Sequence, residues 1–354
     1  MHAYVGCYTS PDRQGYGEGI SIYQVDPSTG EWRHLQTVPD IPNPSFLTLH
    51  PERHTLYCVH GGNDHSAVSA FAIDRATGGL TFLNTEPSGG ANPVSIDIEP
   101  TGQLLAVANY TGGTVSALPL TADGMLMPLV EILPQTGDPG PHPTEQTSAH
   151  PHHIPYDPAG RFVVAPDKGL DRLFIYRPDV GRGVLVPADP PSVATRPGAG
   201  PRHIAFHPNA PRAYVINELD STVSTYDYDS THGTLNERQT ISSLPPDYTE
   251  PNTGSEITVA PSGRFVYASN RGHDSIAIFA ISPDDGTLSP VGWESTQGTV
   301  PRFFALDPSG TFLYAANQGS GTIVTFRVDG ETGTLTPTGQ TIQTGSPSCI
   351  VFVG

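Results

Sequence analysis

The side chains of this sequence best suited to proton transfer and anion binding stand at recurring positions. One and two residues after a repeated anchor come His152 and His153, Arg202 and His203, Ser255 and Glu256, and Arg302 and Phe303. At the ends of apolar runs stand Asn109-Tyr110, Asp167-Lys168, Asn217-Glu218, Asn270-Arg271 and Asn317-Gln318. An Arg fork binds carboxylate or phosphate through paired hydrogen bonds and stabilises a developing oxyanion. Histidine is the usual general base near neutral pH, and a Glu can orient it. Together these groups suit proton transfer on a small anionic substrate. No G-x-S-x-G elbow marks a serine acyl-enzyme, and no phosphate-binding glycine loop or dinucleotide fingerprint is present. The His150-x-His152 spacing could serve a metal, but no third, carboxylate ligand accompanies it, so neither metal nor cofactor is expected.

A repeat positions these residues. "NPSFLTLHPERHTLYCVHGG" from Asn43 is echoed by "NPVSIDIEPTGQLLAVANYTGG" from Asn92 and by further copies from His150, Gly200, Gly254 and Val300, ending in the stub "SPSCIVFVG" from Ser346. The anchors Pro44, Pro93, Pro151, Pro201, Gly254, Pro301 and Pro347 are spaced by 49, 58, 50, 53, 47 and 46 residues, the period of a four-stranded propeller blade. Each copy reads as an apolar strand, a Pro-x-Gly turn, a second apolar strand, an alternating third and a short fourth. The stub supplies only a first strand. "AYVGCYT", "ISIYQVD" and "WRHLQTV" at the N-terminus supply the other three. The pattern predicts an all-β, seven-bladed β-propeller of four-stranded blades, one domain over residues 1–354. Pairing of the N- and C-terminal strands would close the ring and remove exposed sheet edges.

One face of such a ring carries the Pro/Asp/Gly turns, including His50 and His207, and turn geometry accounts for them. The other face carries the residues of the first paragraph and the long inserts 133–150 and 242–256, where a binding site is expected. Asn109, Asn217, Asn270 and Asn317 recur, as a repeat-wide cap would. His150, His152, Arg202, His203, Glu218, Glu256, Arg271 and Arg302 depart from their counterparts. The x-Pro-x spacing puts His150 and His152 on one side of an innermost strand, either to act on a substrate or to bond the insert. A hairpin would bring Arg202 near Glu218.

Composition limits the partners. Net charge is −18, with 35 acids against 17 bases, which repels nucleic acid and anionic membranes. No apolar run reaches the bilayer-spanning length of about 18–20 residues, and no signal peptide opens the chain, so a cytoplasmic location is expected. Cys7, Cys58 and Cys349 form no C-x-x-C pair, and buried thiols are expected. A closed ring without edges is expected to be a monomer.

The segments "SAHPHHIPYDPAGRFVVAPDKGLDRLFIY", "GAGPRHIAFHPNAPRAYVINELDSTVSTYDYD" and "GSEITVAPSGRFVYASNRGHDSIAIF" closely resemble the seven-bladed lactonase family, which includes propeller-type 6-phosphogluconolactonases and 3-carboxymuconate cyclases. The resemblance implies a lactone hydrolase acting on 6-phosphoglucono-1,5-lactone. It places the family's His, Arg, Glu and Arg on His150 or His152, Arg202, Glu218 and Arg271. One His would then be the base, Arg202 and Arg271 the electrophilic stabilisers, and Glu218 an orienter or second base. Lys168, His203, Glu256, Arg302, Asn217 and Gln318 would contact the substrate. A carboxymuconate-type cyclase or another sugar lactonase fits the same groups. A non-catalytic binding propeller would instead show an exposed apolar patch.

Overall fold

Short alternating runs cut by Pro-x-Gly turns can bury their apolar faces only by pairing with neighbours and stacking sheet on sheet. The computed structural model describes every residue except Arg53 and Asp64, so the turn expected over 50–54 and the loop expected within 61–70 lie partly outside the described residues. Among the described residues the chain forms seven sheets and one 3-10 turn, Pro11–Arg13. Blade one comprises Phe46–Leu49, Thr55–Gly61, Ser66–Ile73 and Leu80–Pro87, and blade two Pro93–Ile98, Leu104–Asn109, Thr114–Pro119 and Glu131–Pro134. Blade three has three strands, Val163–Asp167, Arg172–Asp179 and Val184–Ala194. Blade four runs from Pro201–Phe206 to Thr234–Ser242, blade five from Thr253–Val259 to Leu288–Ser295, and blade six from Pro301–Leu306 to Leu335–Gln343.

The seventh sheet takes its first strand, Pro347–Val353, from the C-terminus and His2–Cys7, Ile20–Val25 and Trp32–Val38 from the N-terminus. The two ends pair antiparallel, His2 opposite Val353 and Val5 opposite Ile350, with a register shift after Gly6. This is the closure the repeat predicted.

Two compact units divide the chain, Val38–Arg202 with Asp229–Thr234, and Met1–Thr37 with His203–Tyr228 and Leu235–Gly354. In the first, Tyr57, Val59, Ile96, Leu105, Val107 and Leu126 form a core between blades one and two, and Ala106, Ile154, Val163 and Tyr176 one between blades two and three. In the second, Tyr267, Phe304, Leu313 and Phe326 pack blade five on six, and Tyr23, Trp32, Tyr314 and Ile350 pack blade six on seven.

A repeated hydrogen bond ties these cores to the turns. A buried Tyr in the second strand donates to the carbonyl of a turn glycine in the following blade: Tyr57 to Gly124 (2.7 Å), Tyr214 to Gly286 (3.0 Å), Tyr267 to Gly333 (2.9 Å) and Tyr314 to Gly30 (3.5 Å). Gly30 has φ +76°, and a Cβ there would lie 2.6 Å from the Phe312 ring, so glycine is required on both counts. His50 and His207 act likewise, their Nε2–H donating to Gly102 and Gly263 carbonyls at 3.0 and 2.9 Å. They belong to the turns, as their sequence context indicated.

Removing residues 347–354 would strip blade seven of its first strand and leave the His2–Cys7 edge unpaired. Calorimetry is expected to show the cooperative transition lost in that variant. The milder Ile350→Ala, which empties a core site, is expected to cost about 2–4 kcal/mol. A wild-type melting profile for the truncated chain would contradict the closure.

Candidate active site

In the first unit the decisive residue is Asp167, at the end of the second strand of blade three. The equivalent places in other blades hold Asn109, Asn217, Asn270 and Asn317, whose amides donate. Asn109 reaches the Ser88 carbonyl (3.1 Å), Asn270 that of Ser243 (2.8 Å) and Asn317 that of Thr296 (3.1 Å). Asp167 accepts instead. Its Oδ1 takes the backbone N–H groups of His150 (2.8 Å), Gly169 (2.9 Å) and Leu170 (3.0 Å). Burial pushes its carboxyl up to about 6, with those three donors pulling the other way.

The histidine segment does not lie on an innermost strand, contrary to expectation. It meets the second strand through isolated bridges, Pro151 with Asp167 and Tyr156 with Val163. Pro151, Pro155 and Pro166 have no N–H to give, so a continuous ladder lacks donors. The peptide is held by Asp167 Oδ1 and by the His152 N–H to the Pro166 carbonyl (2.9 Å).

The two histidines nevertheless share a neighbour. The His150 ring stacks on Tyr110, with centroids 4.5 Å apart and planes 12° apart, and His152 meets the same ring edge-on at 5.4 Å. His150 Nδ1 lies 3.0 Å from the Tyr110 carbonyl oxygen. A carbonyl only accepts, so Nδ1 is the donor of this contact, and in the neutral ring the lone pair is then on Nε2. His150 is half-buried and His152 buried. Lys168 Nζ lies 5.1 Å from the Tyr110 centroid and 2.7 Å from Glu145 Oε2, on the long insert. Gln146 Nε2 of the same insert donates to the Lys168 carbonyl at 2.8 Å. The ammonium expected to meet substrate is thus already neutralised. Arg202 is buried at the start of blade four. Among the described residues no three His, Cys, Asp or Glu side chains cluster as metal ligands would.

In the second unit, Glu218 and Arg271 form a nearly buried ion pair of 3.0 Å, and Arg271 NH2 also donates to the Gly254 carbonyl at 2.8 Å. Burial lowers the pKa of Arg271, Glu218 opposes that effect, and the like charge of Arg302 adds to it. Arg302 lies over the Tyr8 ring at 5.0 Å. His203 Nδ1 and Glu256 Oε1 are 3.1 Å apart in a buried pair. Gln318 Nε2 donates to the Arg13 carbonyl at 3.3 Å. Asn217 is buried, its amide donating to Thr222 (2.9 Å) and Ser224 (3.1 Å) within its own blade, as a cap does.

Tyr110, Glu145 and Asp167 in the first unit, and Tyr8 in the second, were not among the expected site residues. Tyr8 follows the second strand of blade seven just as Tyr110, Lys168, Glu218 and Gln318 follow theirs and as Arg271 ends its own. Extending that alignment column through the N-terminal blade would have found it.

The profile of the family described as lactonase, 7-bladed beta-propeller, matches residues 2–352. The chain belongs to the seven-bladed β-propeller lactonase family. Its activity is therefore hydrolysis of a lactone, a cyclic ester. Among its relatives, a Bacillus subtilis protein named 6-phosphogluconolactonase is 38% identical over 86% of this chain and 84% of its own. A Formosa agariphila protein of the same name is 36% identical over 86% of each. The solved structure of a Pseudomonas aeruginosa periplasmic gluconolactonase superposes with TM-score 0.91 at 32% identity, covering 100% of this chain and 99% of that one. No helix of this lactonase among the described residues is long and apolar enough to cross a membrane.

Asp167 gives a pH-dependent prediction. Its folded pKa of about 6 lies above the ordinary 3.8, so the buried carboxylate opposes folding above pH 6, and that opposition vanishes as pH falls below the unfolded value. Asp167→Asn, which installs the residue of four other blades, is expected to gain up to about 3 kcal/mol at pH 8. The gain should shrink toward zero near pH 4 in urea titrations. A gain independent of pH would contradict the assignment.

Proposed function

We propose that this lactonase hydrolyses 6-phosphoglucono-1,5-lactone to 6-phosphogluconate, as a cytoplasmic monomer without metal or cofactor. The names of its Bacillus and Formosa relatives support the substrate. The single observation that carries the chemistry is the 3.0 Å contact of His150 Nδ1 with the Tyr110 carbonyl oxygen. With Nδ1–H held by a carbonyl, Nε2 is free to take a proton from water.

His150 Nε2 removes a proton from a water molecule as the water oxygen attacks the lactone carbonyl carbon. The carbonyl oxygen becomes an oxyanion, and an arginine stabilises it, with Arg202 in the unit of His150 and Arg271 in the other unit as the two candidates. Glu218 holds the Arg271 guanidinium at 3.0 Å and keeps it oriented. When the tetrahedral centre collapses, the ring oxygen leaves and takes the proton from His150, which returns to its neutral state. Of the remaining cations, Arg302, held over the Tyr8 ring, is the one we assign to the phosphate. Lys168, clamped by Glu145, serves structure. His152, His203, Glu256 and Gln318 shape the substrate's surroundings.

Freshly prepared 6-phosphogluconolactone, gluconolactone and carboxymuconate are the discriminating substrates. The phosphorylated lactone is expected to have the highest kcat/KM. Arg302→Ala is expected to cost at least about 10-fold in kcat/KM on it and less than about 3-fold on gluconolactone. His150→Ala is expected to cost about 10²–10⁴-fold on both. Arg271→Ala is expected to lose about 2–4 kcal/mol of transition-state stabilisation. Equal losses on both lactones for Arg302→Ala would remove it from phosphate recognition.

A further inference from the structure

We infer that Tyr110 is a positioning residue that holds His150 in its proton-accepting orientation, an inference that rests on the proposed role of His150 as base. Three contacts converge on this one side chain. The His150 imidazole lies flat on one ring at 4.5 Å and 12°, His152 abuts it edge-on at 5.4 Å, and the Lys168 ammonium sits 5.1 Å from its centroid. The same residue's carbonyl receives His150 Nδ1–H at 3.0 Å. Ring and carbonyl therefore act together. The stack fixes the plane of the imidazole, and only in that plane can Nδ1 point at the Tyr110 oxygen.

The surroundings explain why such a support is needed. His150 sits on a segment that meets its neighbour only through isolated bridges, its backbone tied to Asp167 and Lys168, and these backbone bonds leave its χ angles to be set by the groups around the ring. A free imidazole samples both tautomers and several rotamers. A base whose Nε2 must face a water is impaired by either freedom. Tyr110 is itself anchored, since its N–H donates to the Asn92 carbonyl at 2.9 Å. Lys168 completes the packing, a cation over the π face, and Glu145 pins that cation at 2.7 Å. Glu145 thereby reaches the base through two side chains: Glu145 fixes Lys168, Lys168 packs on Tyr110, and Tyr110 orients His150.

The experiment reads tautomer and turnover separately. Histidine-selective ¹⁵N labelling, with the His150 signals assigned through His150→Gln, distinguishes the Nδ1–H from the Nε2–H form. Wild type is expected to show the Nδ1–H signature. Tyr110→Phe, which keeps the ring, should keep that signature and a kcat within about 3-fold. Tyr110→Leu should lose the signature and at least about 10-fold in kcat, with KM changing less than about 3-fold. Should Tyr110→Leu fail to fold, Tyr110→Met fills the space without an aromatic face, and the same criteria apply. Retention of the Nδ1–H signature in the leucine or methionine variant overturns the inference, as does its loss at unchanged kcat. If His150→Ala keeps wild-type kcat, the base assignment fails instead, and the tautomer data distinguish that failure from a failure of the Tyr110 coupling.

Discussion

One carboxylate oxygen organises the histidine part of this site. Asp167 Oδ1 accepts three backbone N–H groups at 2.8–3.0 Å, one of them from His150, where four other blades use an Asn amide that donates. Reversing donor and acceptor at one repeat position changes what the adjoining segment can be. In the other blades the first strand zips onto the second. In blade three prolines remove the ladder donors and the aspartate substitutes a local nest, so His150-Pro151-His152 becomes a fixed loop. The cost is a buried carboxylate, visible as a pKa raised to about 6. A local departure from the repeat is what a functional position is expected to show.

The cations follow a matching logic. A chain with 17 bases among 35 acids can quench every positive charge it exposes. Lys168 is quenched by Glu145 and Arg271 is balanced by Glu218. A nearly buried Arg–Glu pair adds little net stability, since desolvation offsets the attraction, but it holds a guanidinium still. Arg302 is held differently. Tyr8 offers it a π face, which orients the cation without cancelling its charge, and that charge remains available to an anion.

The fold was readable because a propeller repeats. Seven anchors and the complementary terminal strands determined blade number and closure, and the pairing of His2–Cys7 with Pro347–Val353 follows from them. The recurrent Asn was readable as a cap for the same reason. The site was harder, because function resides where the repeat is broken. Asp167 looks like a conservative exchange for Asn in sequence, and only its three donors reveal the reversal. His150 and His152 alternate as strand residues would, so periodicity placed them on a strand that Pro155 and Pro166, absent from the other blades' ladders, interrupt. Tyr8 and Tyr110 carry no charge, so a search for acids and bases left both out of the site, although Tyr110 stands in the same column as the charged candidates.

The central claim is that a histidine-activated water attacks the lactone directly. Single-turnover hydrolysis in H₂¹⁸O, with enzyme in excess and both product and protein read by mass spectrometry, tests it most directly. The account predicts one solvent oxygen in the new carboxylate of the first product and no label in the protein. Solvent oxygen incorporated into Glu218, with unlabelled product from the first turnover, would show a carboxylate nucleophile and contradict it.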